Sequence, residues 1–285
     1  MRNESGTVLV TGAAGGVGRE LVSRLTDLGW RVYAGIRPGS CAAGLTGVPV
    51  ELDITDLASV DSARRIIESA VGEDGLTALV NNAGLSVDGP LELIPVARLR
   101  QQFEVNVIGQ IAVAQAFLPL LRCAGGRIVN IGGAAGSVTL PMLGALSASK
   151  AALDSANDAL RMEVAPHGVT VSYVEPGALS TQLFVKSAGV IQRDGFTGSP
   201  TEHALYAPDL ARAMEAMSRQ KPAPVGLAVD AVVHALTARR PKARYRVGRE
   251  ARFLLPVLAR LPVPLRDRLI RDSIGLNRRD QAPVA

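Results

Sequence analysis

The sequence predicts an α/β fold built on a doubly wound, mainly parallel seven-stranded sheet with helices on both faces. Three observations carry that expectation. Short β-branched runs alternate with helix-length segments, the pattern of strands joined by crossover helices. Several of the runs are almost wholly apolar, as strands covered on both faces are. A glycine cluster follows the first run and opens a helical pattern.

Taken in order, the expected strands are Thr7 to Val10, Arg31 to Ile36, Pro49 to Leu52, Ala78 to Val80, Arg127 to Ile131, Thr170 to Val174 and Tyr245 to Val247. Helices fill the intervals, the first beginning near Val17. In an open sheet of this kind ligands lie beyond the carboxyl ends of the strands, so residues just after each run are the functional candidates. Residues 184–208, Phe184 to Pro208, have poor periodicity and read as a loop over a substrate. One domain is expected over residues 1–285, with 239–285 as a basic C-terminal extension.

At 285 residues and 47% hydrophobic content, the chain can bury one large core. Cys41 and Cys123 match no metal or redox spacing; both are expected to be buried bystanders in a reducing, cytoplasmic compartment. No secretion signal opens the chain and no run reaches the length of a membrane span, so no integral membrane segment is expected. No metal site is expected. The net charge is +5, yet Arg239 to Asp280 holds thirteen Lys or Arg against four Asp or Glu. Apolar residues from Phe253 to Ile270 alternate with these arginines, and Pro256, Pro262 and Pro264 interrupt any continuous helix. Such a segment usually docks its apolar face on its own domain; a membrane surface or an anionic ligand is the alternative. Nucleic acid is not an expected partner, since aromatics are only 4% and no recognition module is visible.

The first strand runs into Thr11-Gly12-Ala13-Ala14-Gly15-Gly16-Val17-Gly18. Glycines there allow a tight turn and a close approach to a pyrophosphate, which the helix N-terminus favours electrostatically. This spacing resembles that of the short-chain dehydrogenase/reductase family, and further parts of that family's pattern follow in order. They are Asp53 with Ile54 after the third strand, Asn82, Ala83 and Gly84 after the fourth, Asn106, Lys150, and Pro176-Gly177 with Leu179 and Thr181 after the sixth. The resemblance covers residues 6 to 182 and implies a Rossmann-type, nicotinamide-binding fold and two paired helices at a homodimer interface. At the end of the second strand an acidic residue would favour NAD, but the chain has Ile36 and then Arg37. Guanidinium recognises phosphate, so NADPH/NADP is the expected cofactor.

The resemblance also implies a catalytic tyrosine four positions before Lys150 and a serine thirteen positions before that tyrosine. The chain has Leu146 and Gly133 there. Lys150 and Asn106 are the retained supports; Gly133, Leu146, His203 and Tyr206 are substrate-site candidates, the last two also as proton sources. Ser137, Ser147 and Ser149 lie near the lost positions, but a hydroxyl is too weak an acid to replace tyrosine. The pair Gly132 and Gly133 suggests room for a large flat substrate. The chain thus resembles the atypical ketoreductases that tailor aromatic polyketides, and the absence of both donors leads to the expectation that a phenol adjacent to the ketone of the substrate supplies the proton. A catalytically silent NADPH-binding protein and a non-redox cyclase or lyase remain open alternatives.

Overall fold

A computed structural model describes residues 5–180, 195–219 and 221–276. Its seven strands are β1 (Thr7–Val10), β2 (Arg31–Ile36), β3 (Val48–Glu51), β4 (Ala78–Asn81), β5 (Arg127–Ile131), β6 (Thr170–Pro176) and β7 (Arg244–Val247). They form one sheet in the order β3-β2-β1-β4-β5-β6-β7, with every pairing parallel. The order reverses between β1 and β4, which opens a crevice at the carboxyl ends of those two strands. Pro49, inside β3, lacks an amide to donate and is tolerated because β3 is an edge strand.

Alternation along the strands divides the core. Val8 and Val10 face one layer and Leu9 the other. The first layer holds α1 (Gly16–Asp27) and α7 (Val225–Thr237), whose Leu21, Val22, Val229 and Val232 are buried on the sheet. The second holds α2 (Leu57–Val71), α4 (Gly109–Ala124) and α5 (Gly144–Val164). Each fully buried Val, Leu or Phe contributes about 1.5–3 kcal/mol. The buried Arg127 reaches through to the carbonyls of Ala235 and Ala238 at 2.7 and 2.8 Å, satisfying the C-terminal end of α7. A row of side-chain amides ties β4, β5 and α5 together: Asn81 donates to Asn130 and Asn130 to Asn157, each at 2.9 Å.

The strand expectations hold to within a residue or two. Part of the expected loop is helix: α6 (Pro200–Ser218) begins at a capping box in which Ser199 and Glu202 bond each other's backbone amides, with Pro200 at the first helical position. Residues 184–194 lie outside the described residues. Cys41 and Cys123 are both exposed, contrary to expectation; one sits in the loop after β2 and the other on the outer face of α4. Nor does the basic extension bury its apolar face. Its prolines divide it into a π-helical turn (Glu250–Leu254), α8 (Leu255–Leu258) and α9 (Val263–Ser273), in which only Ala251 and Ile270 are buried. Pieces this short present no continuous stripe to the sheet. The helical stretch 96–123 is the one described helix long and apolar enough to cross a bilayer, and 56% of its apolar window is buried in the fold.

Candidate active site

The turn after β1 can be built only from glycine at two positions. Gly12 has φ +64°, and a Cβ there would lie 2.8 Å from the Ala83 backbone. A Cβ on Gly18 would meet the Gly12 carbonyl at 2.4 Å, so α1 packs directly beneath the turn. Gly15 caps α1 without a side-chain hydrogen bond, and the first turn carries no acidic residue. The amides at Gly16 and Val17 are therefore available to an anion, with the helix dipole behind them. Ala14 forms the partly buried floor of the turn.

The motif after β4 supports this turn from below. Thr11 Oγ1 accepts from the amides of Asn82 and Ala83 at 3.0 Å, and Asn82 Nδ2 donates to the carbonyls of Thr11 and Gly12 at 2.9 and 3.0 Å. Asp53 is half-buried after β3; its Oδ1 accepts from the Thr55 amide and hydroxyl, next to buried Ile54. Arg37 is exposed just past β2. Sequence reasoning missed Arg19. From α1 it donates to the carbonyls of Ala14, Cys41 and Ala43, joining the glycine turn to the loop that follows Arg37.

Across the crevice, α3 (Val96–Phe103) passes into a π-helical segment (Glu104–Ile108) before α4. Such insertions often mark functional sites. This one turns Asn106 inward, where Oδ1 accepts from Leu85 N and Nδ2 donates to Leu85 O and Ser149 Oγ. Asn106 thus makes no bond to Lys150; it fixes the backbone beyond Gly84, and its role is that of a positioning residue. Gln102 repeats the arrangement, donating to Leu85 O and Ser149 Oγ while accepting from Val87 N. Ser149, which in turn donates to Leu146 O at 2.8 Å, is a structural hub that the sequence did not reveal. Lys150 emerges from α5 on the crevice side, its Nζ donating to Ile131 O at 3.2 Å. A Cβ on Gly84 would stand 3.8 Å from that Nζ. Burial alone lowers the Lys150 pKa from 10.5 to about 8.

Leu146 is buried one turn before Lys150 on α5. Gly133 follows β5 in extended backbone; a Cβ there would make ordinary contact with the Lys150 stem, 3.7 Å from Cγ. Gly132 is different. A Cβ on it would fall 1.9 Å from Cζ and Oη of Tyr173, so Gly132 makes room for a protein ring and not for substrate. Only Gly133 faces Lys150, which corrects the expectation drawn from the glycine pair. The Tyr173 hydroxyl donates to Lys150 O at 3.2 Å, and Arg244 lies 5.0 Å over its ring. Burial, with the charges of Asp154 and Glu175, holds the phenol well above its ordinary pKa. Tyr173 is therefore a brace for the lysine helix and a poor acid.

Of the other candidate acids, His203, Tyr206 and Ser137 are engaged elsewhere. His203 Nε2 bonds the Thr197 carbonyl at 2.9 Å, and Tyr206 donates to Glu92, which raises the phenol pKa. Tyr206 thereby fastens α6 to the segment after β4, while His203 closes back on the residues that lead into α6. Ser137 donates to Glu175, and Ser147 Oγ is buried. Pro176 ends β6, Gly177 N donates to Val247 O at 3.0 Å, and Leu179 pairs with Ala223. Thr181 lies outside the described residues.

A glycine turn feeding an uncapped helix at the reversal point of a parallel sheet is the architecture of a dinucleotide-binding protein. The family model for short chain dehydrogenase matches residues 6–189, and the chain belongs to that family. It is 33% identical over 271 residues to the NADPH-dependent 3-dehydrocapnine reductase of Ornithobacterium rhinotracheale, covering 87% of this chain and 92% of that one. It is 40% identical over 182 residues to the 3-amino-tetrahydro-pyrrolizinone reductase of Xenorhabdus hominickii, 63% of this chain and 64% of that one. Among solved structures, a short chain dehydrogenase from Burkholderia cenocepacia in complex with NADP superposes with a TM-score of 0.73 at 33% identity, over 94% of this chain and 99% of that chain.

Proposed function

We propose that this chain is an NADPH-dependent ketoreductase of specialised metabolism that reduces a carbonyl on a polycyclic aromatic, angucycline-like polyketide, with the proton supplied by the substrate. The observation that carries the reading is the surroundings of Lys150: Leu146 and Gly133 stand where hydrogen-bond donors to the carbonyl are implied, while the Tyr173 and Tyr206 hydroxyls and His203 Nε2 are hydrogen-bonded elsewhere. NADPH is favoured by exposed Arg37 after β2 and by the cofactors named for the reductase of Ornithobacterium and the Burkholderia structure.

The residues present fit such a cofactor. Gly12, Ala14 and Gly15 to Gly18 would cradle the pyrophosphate, Arg37 the 2′-phosphate and Asp53 with Ile54 the adenine. Asn82 to Gly84, Lys150 and the segment from Pro176 to Thr181 would flank the nicotinamide end. When bound, the reduced nicotinamide supplies hydride. Lys150 holds ribose hydroxyls and places positive charge beside the reacting centre, while Leu146 offers an apolar wall. An alkoxide forming there without a donor would be costly. A phenol next to the ketone has the ordinary acidity of tyrosine, a pKa of roughly 10, and can pass its proton to the new oxygen, leaving a phenolate for solvent to reprotonate. The paired faces of α4 and α5 are the surface that would form a homodimer.

The reading is tested by following NADPH absorbance with a phenolic polycyclic ketone and with its O-methyl ether, and by tracing deuterium from the cofactor 4-position into product. Reduction of the phenol far faster than the ether, with deuterium transfer, is expected. Equal rates would remove the substrate as acid. Tight NADPH binding without turnover of either ketone would make the protein a silent binder, and product formed without reduced cofactor would make it a cyclase or lyase.

A further inference from the structure

The basic extension leaves its apolar side chains in water. Phe253 is 70% exposed, and Leu254, Val257, Val263, Leu265 and Leu269 are between 43 and 59% exposed. They project from three successive short helical pieces, and the cations between and beside them, Arg249, Arg252, Arg260, Arg266, Arg268 and Arg271, are all arginine. Arg252 and Arg260 donate to the backbone carbonyls of Arg246 and Pro256, and the ion pair from Arg266 to Asp267 is long, at 3.5 Å. Such pairs hold a guanidinium only weakly and are screened by salt. Clustered exposed apolar side chains mark an interaction surface.

We propose that this extension is a peripheral docking surface for anionic phospholipid, with Phe253, Leu254 and Val257 entering the interface and the arginines engaging lipid phosphates. Charge complementarity selects the occupant. A twofold contact with a second copy would set the same arginine-rich patch against itself, and juxtaposed like charges oppose association. A phosphodiester surface meets every guanidinium with opposite charge and a matching fork of acceptors. A bilayer also needs no fixed complementary shape, which suits apolar residues spread over separate short helices. Apolar insertion and electrostatic attraction are the two contributions that stable peripheral attachment combines. The surface adjoins the crevice: a Cβ on Gly177 would lie 4.0 Å from Glu250 Oε2, at the start of the first of these helical pieces. Docking would therefore hold the crevice close to the lipid surface.

The test is co-sedimentation of the full chain with vesicles of phosphatidylcholine alone and of phosphatidylcholine with phosphatidylglycerol. Binding to the anionic vesicles is expected, with loss at high salt and at least a ~tenfold weaker apparent affinity for the Phe253→Ser, Leu254→Ser, Val257→Ser variant. Because those residues are exposed, that variant should keep the wild-type circular dichroism and NADPH affinity. A second variant, Arg260→Gln, Arg268→Gln, Arg271→Gln, should weaken anionic binding while leaving the fold intact. The proposal is overturned if wild type sediments no better with anionic vesicles than without vesicles, or if both variants bind as wild type. It is equally overturned if sedimentation velocity shows a dimer that the serine variant dissociates, since the patch is then a subunit contact.

Discussion

Gly132→Ala should destabilise the fold through one identifiable contact. The added Cβ would lie 1.9 Å from the Tyr173 ring, where carbon atoms normally approach no closer than about 3.5 Å. The ring must therefore move by more than an ångström inside a packed layer. Overpacking of this kind costs about 1–3 kcal/mol. Displacing the hydroxyl from Lys150 O forfeits a hydrogen bond worth about 0.5–1.5 kcal/mol more. We expect about 3 kcal/mol in equilibrium urea denaturation. Tyr173→Val alone leaves a cavity and should cost about 2–4 kcal/mol. In the double variant the alanine occupies space the ring has vacated, so the combined loss should fall short of the sum by about 2 kcal/mol. Additivity to within about 0.5 kcal/mol would refute the claim that Gly132 exists to admit Tyr173.

Three further outcomes follow from the same geometry. Gly133→Ser with Leu146→Tyr restores two donors beside Lys150; reduction of the O-methyl ether should rise by about 100-fold or more in steady-state assays, and no gain would mean that acid catalysis is not what limits that substrate. Arg37→Asp should weaken NADPH at least about tenfold while sparing NADH, measured by fluorescence titration. Burial lowers the folded Lys150 pKa to about 8, against 10.5 for an ordinary lysine. The unfolded chain therefore binds more protons between those values, and stability should rise with pH across that window relative to Lys150→Met, with a constant difference at lower pH. Thermal melts of both proteins from about pH 7 to 10 check the sign, and a flat difference throughout would contradict it.

The strands and the glycine turn were legible because they obey short-range rules. An apolar run of β-branched residues has few other uses, and Gly12 and Gly18 sit where a Cβ has no room. The environment of Lys150 was only half legible. Leu146 and Gly133 could be placed by spacing, but Gly132 is explained by Tyr173, which approaches it from β6, and no local pattern announces that contact. Ser149 looked like a weak acid in sequence; Gln102 and Asn106, which make it a hub, converge on it from another helix. The capping box at Ser199 and Glu202 was available in the text of the sequence and would have corrected the long loop. The extension went wrong for a different reason: amphipathic composition says that a face is apolar, but not whether anything lies near enough to cover it.

The amide row from Asn81 through Asn130 to Asn157 has a bearing on motion. It fastens α5 to β5 through the buried Asn130–Asn157 bond and β5 in turn to β4 through Asn81, so α5 cannot peel from the sheet without breaking a buried link of that row. In native-state hydrogen exchange α5, β4 and β5 should open as one cooperative unit, later than α6 and the terminal helices. On that expectation Lys150 rides on the slowest-opening part of the molecule, and a ketone of the size proposed would enter past elements such as α6 that open sooner.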